Sequence, residues 1–208
     1  MKLVGAGGQG RRDYLYRADV TMSGSAQLVL GQSQSRSHLL LFNTAATAMG
    51  IEVGCGAATA TITSGGVSAI TVTNAGFGFS RPPLVTFFGG GLTNDPSMAN
   101  YTGCTQPNTP SPQHPAAAHC VMTGTAPTMT IGSIVVDDPG VGYTLAPYVL
   151  IQNDPMDPNG AAIPSVSGGI ILPASMGAPI VWNGTVCPTE PISVIGTAAA
   201  VLVCRWMD

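Results

Sequence analysis

The chain has 208 residues, of which 8% are charged and 45% apolar, with 27 glycines, 17 prolines and a net charge of −3. It is too apolar for intrinsic disorder and too rich in helix breakers for a helical bundle, but it suits short strands joined by tight turns. The acidic balance provides no basic footprint for nucleic acid, and no apolar run reaches the ~18 residues of a membrane-spanning helix.

Residues 1–27 read as an extended, glycine-rich N-terminal arm carrying the densest charge in the chain: Arg11, Arg12, Asp13, Arg17 and Asp19. Such an arm cannot bury enough apolar surface to order itself, so a neighbouring subunit is expected to hold it. Its start, Met1-Lys2-Leu3-Val4-Gly5, lacks the apolar core of a signal peptide, which suggests synthesis in the cytoplasm. From 28 to 56 the pattern predicts two or three strands. The strongest is Ser37-His38-Leu39-Leu40-Leu41-Phe42-Asn43, and Met49-Gly50-Ile51-Glu52-Val53-Gly54 alternates with period 2.

Residues 57–162 contain a two-copy repeat, with copies near 58–88 and 118–152. Ile70-Thr71-Val72-Thr73-Asn74-Ala75-Gly76-Phe77-Gly78-Phe79 matches Ile134-Val135-Val136-Asp137-Asp138-Pro139-Gly140-Val141-Gly142-Tyr143 at an offset of 64 (134 − 70), and the match continues without a gap through Pro83/Pro147 and Val85/Val149. Each copy reads as strand, G-x-G-aromatic turn, proline-marked bend, strand. Glycine supplies positive φ in the turn, the aromatic covers the junction, and proline opens a strand where its missing N–H does no harm. With the alternating run that precedes it, each copy is expected to be a three-stranded β-unit. A proline-rich loop (89–117) joins the copies, and loops of that length are usually functional or bound to something.

Residues 163–208 return to short strands at Gly169–Leu172, Pro179–Trp182, Ile192–Ile195 and Ala200–Trp206, with Asn183-Gly184 as a type I′ hairpin signal. The fold class is therefore all-β: a β-sandwich (28–56 and 163–208) split by an inserted two-copy β-repeat, with an extended N-terminal arm.

Catalytic and metal chemistry finds little footing. Gly5-Ala6-Gly7-Gly8-Gln9-Gly10 satisfies G-x-G-x-x-G literally, but neither a proper strand before it nor a helical pattern after it supports a dinucleotide site. His38, His114 and His119 have no G-x-S-x-G elbow to serve. Asp137, Asp138, Asp154 and Asp157 lack the spacing of a calcium loop and fit Asx turns better. Cys55, Cys104, Cys120, Cys187 and Cys204 contain no CxxC and read as free, mostly buried thiols. The chain is expected to be a non-enzyme with no cofactor and no metal.

The segments Arg36–Asn43, Ile51–Gly54, Gly169–Pro173, Trp182–Pro188 and Pro191–Ala198 together resemble a small β-sandwich module of tailed-bacteriophage structural proteins, and the G-x-G-aromatic-x-x-x-Pro repeat resembles modules of phage virion proteins. The resemblance implies a capsid decoration (cement) protein on the capsid surface of the virion. Its partners would be the major capsid protein and itself, as a homotrimer, with Arg11, Arg12 and Arg17 on shell carboxylates. The alternative it leaves open is a tail, collar or fibre component that recognises the host surface. Gly76, Gly78, Phe79, Pro83, Gly140, Gly142, Tyr143 and Pro147 are expected to govern turns and packing in the repeat.

Overall fold

A computed structural model describes residues 15–92, 113–157, 159–165 and 170–207. The protein is all-β, built from antiparallel sheets, with one short 3-10 turn among the described residues. It divides into two compact units, residues 1–54 with 163–208 and residues 55–162.

The first unit holds two four-stranded sheets. One has the order β1 (Leu15–Thr21), β14 (Val201–Met207), β3 (His38–Asn43), β12 (Ile180–Asn183), and the other β11 (Ile170–Leu172), β4 (Met49–Val53), β13 (Ile192–Ile195), β2 (Gln27–Leu30). Alternation decides which side chains go inward. Leu39 and Leu41 of β3 and Leu202 and Cys204 of β14 are fully buried, and they share one core with Met49, Ile51, Leu172, Ile192 and Val194 of the other sheet. Two polar side chains tie the loops to this core. The Asn43 amide donates to the carbonyls of Thr47, Leu172 and Pro173, and the buried Arg36 guanidinium donates to the carbonyls of Pro188, Glu190 and Gly31.

Two expectations need correction here. Part of the arm expected over residues 1–27 is a sheet strand, because Leu15–Thr21 pairs with β14 along its whole length, from Leu15↔Met207 to Thr21↔Val201; residues 1–14 lie outside the described residues. Apolar residues in every second place (Tyr16, Ala18, Val20) let this charged segment lie on the sheet. The Asn183-Gly184 hairpin does not form. A type I′ turn needs positive φ at both central residues, and Asn183 is extended at φ −134°. Gly184 N–H instead donates to Ser37 O, and β12 pairs with β3.

The second unit is the repeat: β5 (Ala57–Thr63), β6 (Gly66–Asn74) and β7 (Leu84–Phe88) from the first copy, β8 (Ala117–Thr123), β9 (Thr130–Asp138) and β10 (Tyr148–Gln152) from the second. The bounds of β6 and β9, and of β7 and β10, keep the offset of 64. β5 and β8 differ by 60 (117 − 57), because the turn of the second hairpin is longer. Both hairpins carry bulges at equivalent places, Ala57/Ala58 and Thr61/Ile62 in the first, Ala117/Ala118 and Val121/Met122 in the second.

The copies are not self-contained three-stranded units. β7 pairs with β10, in a register centred on Thr86↔Leu150, two residues that occupy the same place in their copies. β10 also pairs with β5, which gives the sheet order β6-β5-β10-β7 beside the separate hairpin β8-β9. The third strand of each copy has thus left its own hairpin to meet its counterpart about a pseudo-twofold axis. A lone hairpin with a third short strand could not cover its apolar face.

Candidate functional site

The G-x-G-aromatic turns lie at the crossing points of this pseudo-twofold. Gly76, Gly78, Gly140 and Gly142 all have positive φ. A Cβ on Gly76 would sit 2.2 Å from Cys55 O, and one on Gly140 2.6 Å from Ala116 N, so both turns need glycine for space as well as for φ. Each aromatic is swallowed by the core: Phe79 is 0% exposed and Tyr143 4%. Pro83 and Pro147 are buried immediately before β7 and β10.

The bonding between copies is reciprocal. Phe79 exchanges two backbone hydrogen bonds with Met129 near the tip of the second hairpin, and Gly142 and Tyr143 donate to Gly65 O at the tip of the first. Ile131 N–H donates to Ala75 O, and Val67 N–H to Pro139 O. The residue after each aromatic is capped by chain that follows the other copy's third strand. Thr144 N–H donates to Gly90 O, while Ser80 and Arg81 donate to Asp157.

Asp157 is a residue whose importance the sequence did not reveal. It is 2% exposed, and its carboxylate accepts from Ser80 N (2.6 Å), Arg81 N (2.8 Å) and Ser80 Oγ (3.0 Å). Burial opposes its ionisation, yet the donors of Arg81 and Ser80 outweigh that cost and hold its pKa below the usual carboxylate range. The other acids fill local roles. Asp154 accepts from Met156 N in an Asx turn. Asp138 accepts from Gly140 N and approaches His114 Nε2 at 3.2 Å, contacts that lower its pKa. Asp137 pairs with His119 Nδ1 at 2.8 Å.

His38 meets Asn183 across the β3–β12 pair, far in sequence from the other two histidines. The structure thus places each histidine beside an Asp or Asn partner. Cys55, Cys120, Cys187 and Cys204 are buried and not joined in disulfides; burial pushes the pKa of Cys120 up to about 11 and that of Cys204 up to about 12, so these two thiols are held in the unreactive form. Cys104 lies outside the described residues. Among the described residues no group of three or more His, Cys, Asp or Glu is placed to hold a metal ion, and no helix is long and apolar enough to cross a membrane.

Two surface features remain. In the second unit the pseudo-symmetry breaks between β7 and β8. Their counterparts β10 and β5 are joined by a ladder, whereas β7 and β8 flank an apolar cleft of about 340 Å³ lined by Phe87, Phe88, Leu92, Ala116 and Ala118. In the first unit, the outward face of sheet β1-β14-β3-β12 carries the row Arg17–Arg205–Leu40–Val181, and beside it Asp19–Val203–Phe42. Arg17 is exposed and bonded to Asp19 at 2.7 Å, a contact that raises its already high pKa. Arg205 Nε is buried without a hydrogen-bond partner. Behind this face Tyr16 stacks on Trp206, with ring centroids 5.4 Å apart. Of the three arginines singled out from the sequence, only Arg17 is placed; Arg11 and Arg12 lie outside the described residues.

No protein-family model, curated protein or solved structure matches the chain.

Proposed function

We propose that the protein is a non-catalytic virion structural component, a capsid decoration protein that binds the assembled shell as an oligomer. The observation that carries this reading is the outward face of sheet β1-β14-β3-β12. Leu40, Phe42, Val203 and Val181 give it an apolar centre, and Arg17 and Arg205 give it a cationic side. A partner surface with apolar contacts and acidic groups at its rim would complement it, with the charges setting register and encounter rate and the apolar centre supplying affinity. The chain's 8% charged content fits a surface that is largely covered, and the resemblance of its β-modules to phage structural proteins supplies the class of partner. A ligand that binds only the assembled shell stabilises it by mass action. Threefold positions of an icosahedral lattice would suit a homotrimer.

The test is co-sedimentation with purified shells. Arg17→Glu and Val181→Asp, both at exposed positions, should each cut occupancy at least tenfold, and deletion of residues 2–14 should cut it further while leaving β1 intact. Unchanged occupancy in all three rules the reading out. Imaging of whole particles separates it from its alternative: many copies over the head support decoration, and a few at the tail tip indicate a host-recognition part.

A further inference from the structure

The outward face of the sheet β6-β5-β10-β7 has a different chemistry from the face just described. We infer that it is a binding platform for a neutral oligosaccharide. The inference goes beyond the shell-binding reading and does not depend on it.

One register row crosses all four strands: Thr71↔Thr59, Thr59↔Tyr148, Tyr148↔Phe88. Two hydroxyls are followed by two aromatic rings, over three inter-strand steps that span roughly 14 Å at ordinary strand spacing. That is the reach of a short run of sugar rings. All four side chains point outward. Tyr148 is 66% exposed and Phe88 40%, and both threonines are exposed. Thr61 extends the hydroxyl side along β5, and beside the rings the next rows of β10 and β7 pair a polar with an aliphatic side chain, Leu150 with Thr86 and Gln152 with the exposed Leu84.

Charge narrows the ligand. No Asp, Glu, Lys, Arg or His occurs anywhere in β5, β6, β7 or β10. Nucleic acid, acidic polysaccharide and anionic lipid all require cations that this face does not carry. A charged protein surface would leave its own groups unpaired here. A neutral sugar matches what is present. Its C–H face lies on an aromatic ring, and its hydroxyls exchange hydrogen bonds with threonine hydroxyls and the phenol. The platform is also rigid: the row is fixed by three ladders, so little ordering is needed on binding.

The test uses the full chain titrated by calorimetry and amide NMR with cellohexaose, maltohexaose and xylohexaose, and with hexagalacturonate as the anionic comparison. At least one neutral hexasaccharide should bind, with shifts centred on residues 59, 71, 88 and 148 and with no dependence on ionic strength. Tyr148→Ala should weaken binding at least tenfold, and Thr59→Val with Thr71→Val severalfold, with the unfolding transition unchanged because all three side chains are exposed. Absence of binding by every neutral probe overturns the inference. So does preference for hexagalacturonate, or binding that Tyr148→Ala leaves intact. Concentration-dependent self-association that Tyr148→Ala abolishes would assign the face to a second copy instead. Shell occupancy is measured separately, so a failure here leaves the shell-binding reading standing, and the reverse.

Discussion

The two hairpins of the repeat unit share a backbone and differ in what they show to solvent. Their bulges fall at equivalent positions, so the outward positions correspond residue by residue. Thr59 of β5 corresponds to His119 of β8, Thr71 of β6 to Val135 of β9, and Thr73 to Asp137. The inward positions stay apolar in both, with Val67 matched by Ile131 and Phe79 by Tyr143. Packing density constrains the inner faces, where a lost methylene is felt. The outer faces carry no such constraint. One has become an uncharged hydroxyl surface and the other a surface that carries the His119–Asp137 pair. The divergence between copies is therefore concentrated on the faces that packing leaves free.

The comparison can be broken first at its shared core. Phe79→Ala should remove about 4 kcal/mol from the second unit. Both tryptophans, Trp182 and Trp206, sit in the first unit, so the loss should be read by amide exchange over residues 55–162 and not by tryptophan fluorescence. Gly76→Ala and Gly140→Ala should come next, each costing more than about 3 kcal/mol in the same measurement, since Ala is strained at positive φ and meets backbone atoms. Gly142→Ala should cost less, because the nearest atoms belong to the side chain of Gln113.

Asp157 tests the asymmetric part of the reciprocal caps. Asp157→Ala leaves the N–H groups of Ser80 and Arg81 without their acceptor and should cost about 3 kcal/mol by urea unfolding. The sign of the pH effect follows from the lowered folded-state pKa. The carboxylate contributes stability that is fully present above its unfolded pKa, about 3.9, and is lost as pH falls through the folded value. Acidification below about pH 4 should narrow the gap between wild type and variant; a gap that stays constant would contradict the assignment.

Tyr143→Phe removes the phenol oxygen that accepts from Ala116 N at 2.8 Å and should cost about 1–2 kcal/mol. Phe79 has no such partner, so this loss belongs to one copy alone. The smallest effect is expected at the exposed His119–Asp137 pair, where a double-mutant cycle should find a coupling under about 1 kcal/mol.

Much of this architecture was legible in the residues. The period-2 runs marked most strands, and the G-x-G-aromatic-Pro repeat marked both turns and the prolines that open β7 and β10. Those signals are local, set by alternation, φ and ring closure. The exchange of third strands was not legible, because each copy contains the same strand pattern whether β7 returns to its own hairpin or meets β10. Nor was the role of Asp157, which looked like one more Asx-turn residue; its partners Ser80 and Arg81 lie more than seventy positions away. Arg36 was hidden for the same reason, its acceptors lying mostly beyond residue 187. At Asn183-Gly184 a strong local signal lost to tertiary pairing, because β3 offered β12 a full ladder where a hairpin would have offered two residues.

By itself the sequence determined that this is an all-β chain with a duplicated turn-and-strand unit set between two stretches of a second β-unit. These follow from composition, periodicity and glycine chemistry, which act over a few residues. The tertiary structure decided which strand pairs with which, which acid is buried, and which outward positions stand together in one row. Those depend on long-range closure and on the burial of apolar faces that no single segment can complete alone.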